Sequence, residues 1–399
     1  MAKRISNIDI KSIWERLNAK WLEHKKKEVI EIPTSFVSET IIVGTNRVTL
    51  FNRGQEVYEI MKELFRNAET EILIDSFIFA GDELGQEIQE ILLKKEEEGV
   101  DISIIVDPVG NFFTTPSYWH RLKQRQMQIK EIFHFKNPWN ILTMDLIFRD
   151  HRKLVIIDER IAFLGGLNIS KKYENNWRDT HIMIEGPSVG ELRILFDEVF
   201  RGKRIRPLHS KPARKLKKPL SFINTFPREK PNRLHQMLLH LVEMAKSEIL
   251  MNQIYFVPDK KILHSLYDAV GRGVRVQLLL SRKSDLNVVQ SAVKYYISDL
   301  LAHGVEVYWY EPCVNHSKTW VIDGRYSVVG SANIDGRSFT KNYEITAIMT
   351  QREFAQEMIR MYELDLKQST KQELADWQKN YRIWGKLCGR AALVLRPFL

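Results

Sequence analysis

The chemically active side chains of this chain fall in two copies of one pattern, HxKxxxxD, which lie 165 residues apart. The residues concerned are His151, Lys153 and Asp158 in the first copy and His316, Lys318 and Asp323 in the second. In a strand, residues two apart project from the same face, so each histidine points with its lysine. A lysine can neutralise phosphate oxygens while the histidine attacks phosphorus or transfers a proton. The pattern therefore predicts chemistry at a phosphate group, with these motif residues as catalytic candidates.

The residues behind each motif also match. At the same offset, the two copies carry Gly165, Asn168 and Asp179, and Gly330, Asn333 and Glu344. One such motif would fit an ordinary strand histidine, but two copies in register are not chance. The chain is therefore predicted to be an internal duplication in which one site draws half of its residues from each copy.

Each motif is predicted to enter a β-hairpin. Apolar runs at 154–157 and 319–322 are each followed by a turn and by a second apolar run, at 161–164 and 326–329. The second turn has the sequence Asp-Gly-Arg, which is typical of a hairpin. An aspartate at a turn commonly binds nearby backbone N–H groups. Asp158 and Asp323 are therefore interpreted as the structural members of the motif.

The segments before each motif predict matched helices and strands. Helices are expected at 56–67, 83–98, 234–246 and 260–272, and strands at 71–75, 102–106, 248–252 and 274–280. Strands that alternate with helices favour a mixed, largely parallel α/β sheet in each copy. The expected order is an N-terminal amphipathic helical segment, a first repeat, a basic linker, and a second repeat with a basic amphipathic tail, at 1–40, 41–205, 206–220 and 221–399.

The duplicated motif, with GGxN and GSxN behind it, resembles the phospholipase D superfamily over nearly the whole chain. The second half resembles its bacterial cardiolipin synthase branch in three stretches, at 255–259, 271–274 and 333–344. The first half fits the same pattern at 75–79, at Asp82 and Gly85, and at 99–102. The implied fold is α/β, with two tandem phospholipase D-like repeats, pseudo-two-fold symmetry and one shared active site.

The resemblance also implies roles for the site residues. One motif histidine would attack phosphorus and become a phosphohistidine, and the other would serve as acid and base; we expect His151 as the nucleophile and His316 as the acid/base. Phosphate oxygens would be held by Lys153, Lys318, Asn168 and Asn333. Asp179 and Glu344 would orient the histidines, with the pairs crossing between copies: Glu344 with His151 and Asp179 with His316. Neither a metal nor a cofactor is required, because lysines neutralise the phosphodiester.

The expected activity is that of a phosphatidyltransferase. It would take a phosphatidyl group from phosphatidylglycerol, release glycerol and pass the group to the hydroxyl of a second phospholipid. A phospholipase D that uses water, and a nuclease or phosphodiesterase of the same superfamily, stay open as alternatives. A membrane-binding protein with a decayed site is disfavoured, because both copies keep their histidine, lysine and acid. The acceptor lipid and the oligomeric state stay open.

Charge and amphipathic segments predict contact with something anionic. The formal net charge is +10, and residues 201–218 contain nine Lys or Arg and no acid. Apolar residues within 5–22 form one stripe of a helix, and the tail from Arg382 mixes apolar with basic side chains. A solvated linker and helices that dock on the core are the open alternatives. With the resemblance, we expect anionic phospholipids at a membrane surface as partners, and not nucleic acid.

Membrane attachment is expected to be peripheral, on the cytoplasmic side of the bacterial inner membrane. No apolar run approaches the ~20 residues of a spanning helix, whereas relatives in the resembled branch often begin with such helices. An aromatic-rich stretch forms either an apolar flap for acyl chains or a peripheral packing cluster; it contains Phe112, Phe113, Tyr118, Trp119, Phe133, Phe135, Trp139 and Phe148.

The two cysteines add little chemistry. Cys313 and Cys388 offer no disulfide framework and suit a reducing compartment. Cys313 lies three residues before His316, but no second Cys/His pair completes a zinc site in the sequence.

Overall fold

The structure is a computed structural model that describes residues 35–132, 148–202, 216, 218–381 and 383–394. The amphipathic stripe predicted within 5–22 lies outside the described residues, as do most of the basic linker and the end of the C-terminal tail. Phe133, Phe135 and Trp139 of the aromatic stretch lie outside them too.

The described residues form eighteen strands. They are β1 (Ile41–Val43), β2 (Asn46–Arg53), β3 (Glu71–Ser76), β4 (Asp101–Val106), β5 (Gln128–Glu131), β6 (Arg149–Asp150), β7 (Lys153–Ile157), β8 (Ile161–Gly165), β9 (Trp177–Glu185), β10 (Leu220–Thr225), β11 (Glu248–Gln253), β12 (Arg275–Ser281), β13 (Glu306–Tyr310), β14 (Val314–Asn315), β15 (Lys318–Ile322), β16 (Tyr326–Gly330), β17 (Asn342–Met349) and β18 (Ser369–Gln372). The first sheet has the order β1-β2-β9-β8-β7-β3-β4-β5, and the second has the order β10-β17-β16-β15-β11-β12-β13-β18. Apart from their edge strands β1 and β18, the two sheets repeat one topology, which confirms the predicted duplication.

The described residues also form twelve helices, ten between strands and two after β18. They are α1 (Gly54–Arg66), α2 (Glu83–Glu97), α3 (Pro116–Lys123), α4 (Lys171–Asn175), α5 (Val189–Phe200), α6 (Arg233–Met244), α7 (Lys260–Gly271), α8 (Asn287–Ala302), α9 (Gly336–Thr340), α10 (Arg352–Lys367), α11 (Leu374–Asn380) and α12 (Ile383–Val394). Matched aspartates begin the matched helices α2 and α7: Asp82 accepts a hydrogen bond from the Gly85 N–H at 3.1 Å, and Asp259 accepts one from Ile262 at 2.9 Å. Such N-caps satisfy backbone donors that the helix itself cannot pair.

The predicted hairpins and the strands before them are present, but the expectation of a largely parallel sheet is wrong. Among the strands of one half, parallel pairing is confined to β3-β4-β5 or β11-β12-β13. The main ladders of the remaining strands are antiparallel, because β7-β8-β9 and β15-β16-β17 run back and forth as hairpins. Strands that are connected through a helix were correctly predicted to be parallel. The error came from applying the same expectation to the strands of the hairpins, which run antiparallel.

The first motif strand shows how the two sheets build the core. Leu154 and Ile156 pack in a central cluster with residues of the second half, such as Val321, while Val155 and Ile157 pack with the outer helices of the first half. Alternate residues of a strand face opposite sides of its sheet. Both faces of β7 are therefore buried. The two sheets meet at the central cluster, to which helices α5 and α10 also contribute, while α1 and α2 pack on the outer face of the first sheet.

The two halves also exchange short strands. β14 of the second half pairs in parallel with β9 of the first, and β6 of the first half pairs in parallel with β17 of the second. Each exchanged strand ends immediately before a motif histidine. This crossing carries each histidine to the edge of the other half's sheet.

Candidate active site

The backbone fixes both motif histidines between the halves. The His151 N–H donates to the carbonyl oxygen of Tyr343 at 3.0 Å, and the His316 N–H donates to the carbonyl of Arg178 at 2.7 Å. Tyr343 precedes Glu344 and Arg178 precedes Asp179 in the sequence. These bonds place each imidazole beside the carboxylate of the opposite half.

His151 contacts Glu344 across the interface. Its Nδ1 lies 3.1 Å from each carboxylate oxygen of Glu344. The carboxylate is fully buried and also accepts hydrogen bonds from the Ser331 hydroxyl at 2.5 Å and from the Asn342 amide at 3.0 Å. Because Glu344 occupies Nδ1, His151 has only Nε2 left to reach a substrate.

His316 contacts Asp179 in the pseudo-symmetric position. Its Nδ1 lies 2.6 Å from Asp179 Oδ2 and 3.0 Å from Lys318 Nζ, which is also 3.2 Å from Nε2. Tyr173 and Trp177 flank the ring, with centroids 5.3 and 5.4 Å from that of His316. The His316–Asp179 contact and the His151–Glu344 contact together form the crossed arrangement that the resemblance implied.

Burial and mutual charge set the protonation of the empty site. Burial, together with the neighbouring lysines, lowers the pKa of both His151 and His316 below the usual histidine value. Burial lowers the pKa of Lys153 to about 7 and that of Lys318 to about 8. At neutral pH both imidazoles are therefore neutral, so either can act as a nucleophile or a base.

The two orienting carboxylates differ in their surroundings. Burial raises the pKa of Asp179 to about 6, and Lys318 opposes that rise. Burial would also raise the pKa of Glu344, but the His151 ring and the Lys153 ammonium hold it below its usual value. The pseudo-symmetry of the motif therefore does not extend to the pKa values of its two carboxylates.

The two motif asparagines also have different surroundings. Asn168 donates from Nδ2 to the Tyr173 hydroxyl at 2.7 Å and accepts from the Ile78 N–H at 3.1 Å, so its amide is used within its own half. Asn333 is buried, and its Oδ1 has no hydrogen-bond partner among the described residues. Phosphate binding by either asparagine stays a prediction.

The structure does not bring the two motif aspartates together with the histidines and lysines. Asp158 and Asp323 follow the far ends of β7 and β15. Asp158 accepts hydrogen bonds from the backbone N–H groups of residues 69–71, and Asp323 accepts them from residues 246–248, all at 2.8 to 3.1 Å. Both carboxylates therefore tie the hairpin turn to the start of the neighbouring strand, away from the site.

Sequence reasoning missed several residues that hold the site. The buried guanidinium of Arg178 donates to the hydroxyl of Ser317, which lies between His316 and Lys318, and its Nε lies 3.1 Å from Asp365 Oδ1. The position of Arg178 beside Asp179 was a signal that could have been used. The role of Asp365 could not be predicted from the sequence, because this residue lies on α10, outside both motifs, and comes close to the site only in the folded chain.

Two α/β repeats that share crossed histidine–carboxylate contacts define the phospholipase D class of protein. The chain belongs to the cardiolipin synthase family of that class, because the sequence profile described as "Cardiolipin synthase, PLD-like domain" matches residues 61–201 and 238–366. It is 30% identical over 366 residues to cardiolipin synthase A of Pseudomonas syringae pv. syringae, covering 90% of this chain and 76% of that relative. It is 29% identical over 381 residues to cardiolipin synthase of Geobacillus kaustophilus, covering 92% and 74%. These matches confirm the predicted resemblance.

Solved structures confirm the fold. The crystal structure of phosphatidylserine synthase from Haemophilus influenzae superposes with a TM-score of 0.70 at 12% identity, covering 95% of this chain and 99% of that one. Polyphosphate kinase from Porphyromonas gingivalis superposes with a TM-score of 0.56 at 15% identity, covering 80% and 50%. At such identities the likeness shows the fold alone.

None of the described helices is both long and apolar enough to cross a membrane. The described residues also contain no group of three or more His, Cys, Asp or Glu side chains arranged to hold a metal ion.

Proposed function

We propose that this protein is a phosphatidyltransferase that makes cardiolipin from phosphatidylglycerol. The observation that carries the proposal is the pair of histidine–carboxylate contacts, His151–Glu344 and His316–Asp179, each formed across the two halves beside a buried lysine. Its membership of the cardiolipin synthase family selects a phospholipid, over other phosphodiesters, as the substrate.

The reaction would proceed in two displacements. The Nε2 of His151 attacks the phosphorus of phosphatidylglycerol, and the bond to the glycerol oxygen breaks as that oxygen takes a proton from His316. His316, now neutral, accepts a proton from the hydroxyl of a second phospholipid as that oxygen attacks the phosphohistidine. Cardiolipin leaves and His151 is restored.

Lys153 and Lys318 would neutralise the phosphate oxygens in both steps. Each is nearly fully buried, at 2% and 3% exposure, so the attraction to an anion is poorly screened by water. A bound phosphodiester would in turn raise the pKa of each lysine and of His316. Substrate binding therefore helps His316 to take up from solvent the proton that the leaving group needs.

The proposed contact with lipid is the loop after β4. Its Val109, Phe112 and Phe113 are 40%, 72% and 66% exposed. Asn111 ties the loop to the active-site wall, since its amide donates to the carbonyl of Phe77 at 3.0 Å, and the Phe77 ring lies 5.2 Å from that of His151. Exposed aromatic side chains beside a lipid-handling site suit shallow insertion into a membrane surface. We propose peripheral binding to anionic phospholipid through this loop; the cytoplasmic side stays a prediction.

The decisive test is the product. Purified protein with phosphatidylglycerol vesicles should release one glycerol for each cardiolipin formed, measured by lipid mass spectrometry and a glycerol assay. His151→Ala and His316→Ala should each abolish both products, and the double variant should be little worse, because residues that act as a unit are non-additive. His303→Ala is the matched control, since His303 also pairs with a carboxylate, Asp299, at 3.4 Å but on the surface.

Other products would overturn the proposal. Phosphatidate without cardiolipin would make water the acceptor and the enzyme a phospholipase D. Cleavage of single-stranded DNA with the lipid untouched would make it a nuclease. Turnover in either single-histidine variant would contradict one shared site.

A labelling experiment separates the roles of the two histidines. With a substrate whose leaving group needs no proton, His316→Ala should still form the phosphoenzyme and accumulate phosphatidyl label on His151. Label on His316 in the His151→Ala protein would reverse the assignment.

A further inference from the structure

A tyrosine–aspartate pair lies beside the acid/base candidate without a part in the chemistry described so far. The Tyr255 hydroxyl donates a hydrogen bond to Asp285 Oδ1. Tyr255 is 8% exposed, whereas Asp285 is exposed on the loop between β12 and α8. The pair therefore joins a buried phenol to a carboxylate that solvent or a ligand can reach.

Backbone contacts fix this pair next to His316. The Ile254 N–H donates to the carbonyl of Ser317 at 3.2 Å, which places Tyr255 beside the second motif. At the other end, the Asn315 N–H donates to the hydroxyl of Ser281 at 2.9 Å, which holds the start of the Asp285 loop to the strand that leads into His316.

Electrostatics agree with that placement. Burial lowers the pKa of His316 well below its usual value, and the Asp285 carboxylate is near enough to oppose that shift. Burial also lowers the pKa of Lys318, and Asp285 is among the carboxylates that act against it.

The first half shows that the fold does not need a carboxylate at this position. Asp101 and Arg275 occupy the same register in the two sheets, and Asn111 and Asp285 each follow ten residues later. Asn111 is buried, and its amide makes three hydrogen bonds that hold its loop: one from Phe79 N–H and two to backbone carbonyls. Asp285 is instead exposed, so packing does not account for its charge.

We propose that Asp285 and Tyr255 form the subsite for the glycerol headgroup, with the carboxylate accepting a hydrogen bond from the central hydroxyl. The inference rests on the proposed phosphatidyltransferase function. The general acid must touch the oxygen that leaves, so the headgroup lies on the His316 side of the phosphorus. The central hydroxyl of glycerol is carried by the second carbon from that oxygen, and an ionised carboxylate is the strongest acceptor a protein offers a hydroxyl.

The charges of the site also orient the donor lipid. Lys153 and Lys318 attract the phosphate, and the negative charge of Asp285 repels it. A lipid whose phosphate meets the lysines and whose headgroup meets Asp285 has both groups in favourable surroundings. In the opposite orientation the phosphate would still meet the lysines, but the diacylglycerol part of the lipid, which has no free hydroxyl, would lie against the carboxylate. Asp285 is thus a specificity residue that favours a polyol headgroup in line with His316.

The test compares phosphatidylglycerol with its analogue carrying a 1,3-propanediol headgroup, which lacks only the central hydroxyl. The ratio of kcat/KM for the two lipids is measured within each variant, so a loss of folded protein cancels. The wild type should prefer phosphatidylglycerol by about tenfold, the value for one charged hydrogen bond at an exposed site. Asp285→Asn should bring the ratio close to one, and Tyr255→Phe should lower it less.

Asp299→Asn is the matched control. Asp299 lies on the surface of α8 and accepts a hydrogen bond from the Tyr267 hydroxyl at 2.6 Å. The substitution Asp299→Asn therefore removes the same charge from the same kind of tyrosine–aspartate pair. Its ratio should equal that of the wild type. A preference retained in Asp285→Asn would overturn the inference, and so would an equal loss on both lipids, which would make Asp285 a positioning residue for His316. Failure of the wild type to convert phosphatidylglycerol at all would instead overturn the proposed function.

Discussion

Replacing Asp323 with alanine separates the structural part of the motif from its chemistry. The carboxylate accepts hydrogen bonds from three consecutive backbone N–H groups, of Lys246, Ser247 and Glu248, and from the Ser247 hydroxyl at 2.8 Å. It does so at the turn of the hairpin whose other end carries Lys318. The substitution should therefore lower the free energy of unfolding and leave the turnover of folded protein close to that of the wild type.

The size of the loss follows from these bonds. Each net hydrogen bond contributes about 1 kcal/mol, but the freed N–H groups near the surface regain water, so about 2 kcal/mol is expected from the bonds. Asp323 also has a φ of 52°, in the left-handed region, where alanine costs about 1 kcal/mol more. The total for Asp323→Ala is then about 3 kcal/mol, and Asp323→Gly should lose about 1 kcal/mol less. Asp323→Asn keeps one acceptor oxygen and tolerates this φ, so its loss should be smallest.

The first half supplies a matched variant. Asp158 has a φ of 53° and makes the same set of bonds to residues 69–71, so Asp158→Ala should lose the same amount. The two losses should add in the double variant if unfolding is a single transition, because the two turns share no partner. Urea unfolding followed by circular dichroism measures each loss, and kcat is measured at a temperature where each variant is folded.

The stability that Asp323 contributes should depend on pH, because only the ionised carboxylate accepts all of these hydrogen bonds. Burial would raise the pKa of Asp323, but the three N–H groups hold it below its usual value. The carboxylate therefore contributes its full stability above a pH of about 4 and loses it as the pH falls through the lower folded pKa. The difference between wild type and Asp323→Ala should narrow below that pH. Wild-type stability with a loss of turnover would refute the structural role and make Asp323 part of the chemistry.

Two further predictions concern the phosphate site and the membrane. Because burial lowers the pKa of Lys153 to about 7, the empty site loses positive charge as the pH rises, so tungstate affinity should fall by up to about tenfold from pH 7 to 8. The fall should be shallower in Lys153→Met, and a wild-type affinity that does not change with pH would contradict the argument. Phe112→Ser with Phe113→Ser should weaken co-sedimentation with vesicles of anionic lipid, since both rings are more than half exposed, and binding should also weaken in high salt. Unchanged binding in the double variant would remove this loop from the membrane contact, and activity on detergent-dispersed lipid checks that the site is intact.

Local patterns predicted the parts of the fold that depend on neighbouring residues. Residues 154–157 and 320–322 are all apolar because both faces of these strands are buried, and the turns after them carry aspartates that accept φ values near 50°. Each of these features depends on residues that are close together in the sequence. The hairpins, the helices before them and the duplication were therefore accessible without a structure.

Contacts between distant residues were not accessible in the same way. The exchanged strands β6 and β14 are two residues long, too short to show any periodicity. The asparagine of the first motif was expected at the phosphate, yet its amide is bonded to Tyr173 and Ile78, because the spacing of a motif fixes a residue's position in the strand but not its partners. The crossed carboxylates were expected only from the family resemblance.

The buried charges between the halves show how the duplication diverged without losing its symmetry of shape. In the first half the residue after the motif histidine is Arg152, which is fully buried and bonded to Asp150 and Asp75. Its counterpart in the second half is Ser317, and the aspartates are replaced there by Asn315 and Asn252.

A buried arginine requires a carboxylate, because an unpaired charge in the interior costs several kcal/mol. The second half meets the same need with other residues: Arg178 reaches Ser317 from the first half and is paired with Asp365 at 2.5 Å. Arg152 in turn lies over the ring of Tyr343, which is the counterpart of Arg178. The Arg152 guanidinium is thus held by two carboxylates and that of Arg178 by one. Both charge clusters adjoin the residue between the histidine and the lysine of a motif, so replacing a guanidinium or its carboxylates alone would leave an unpaired buried charge beside the site.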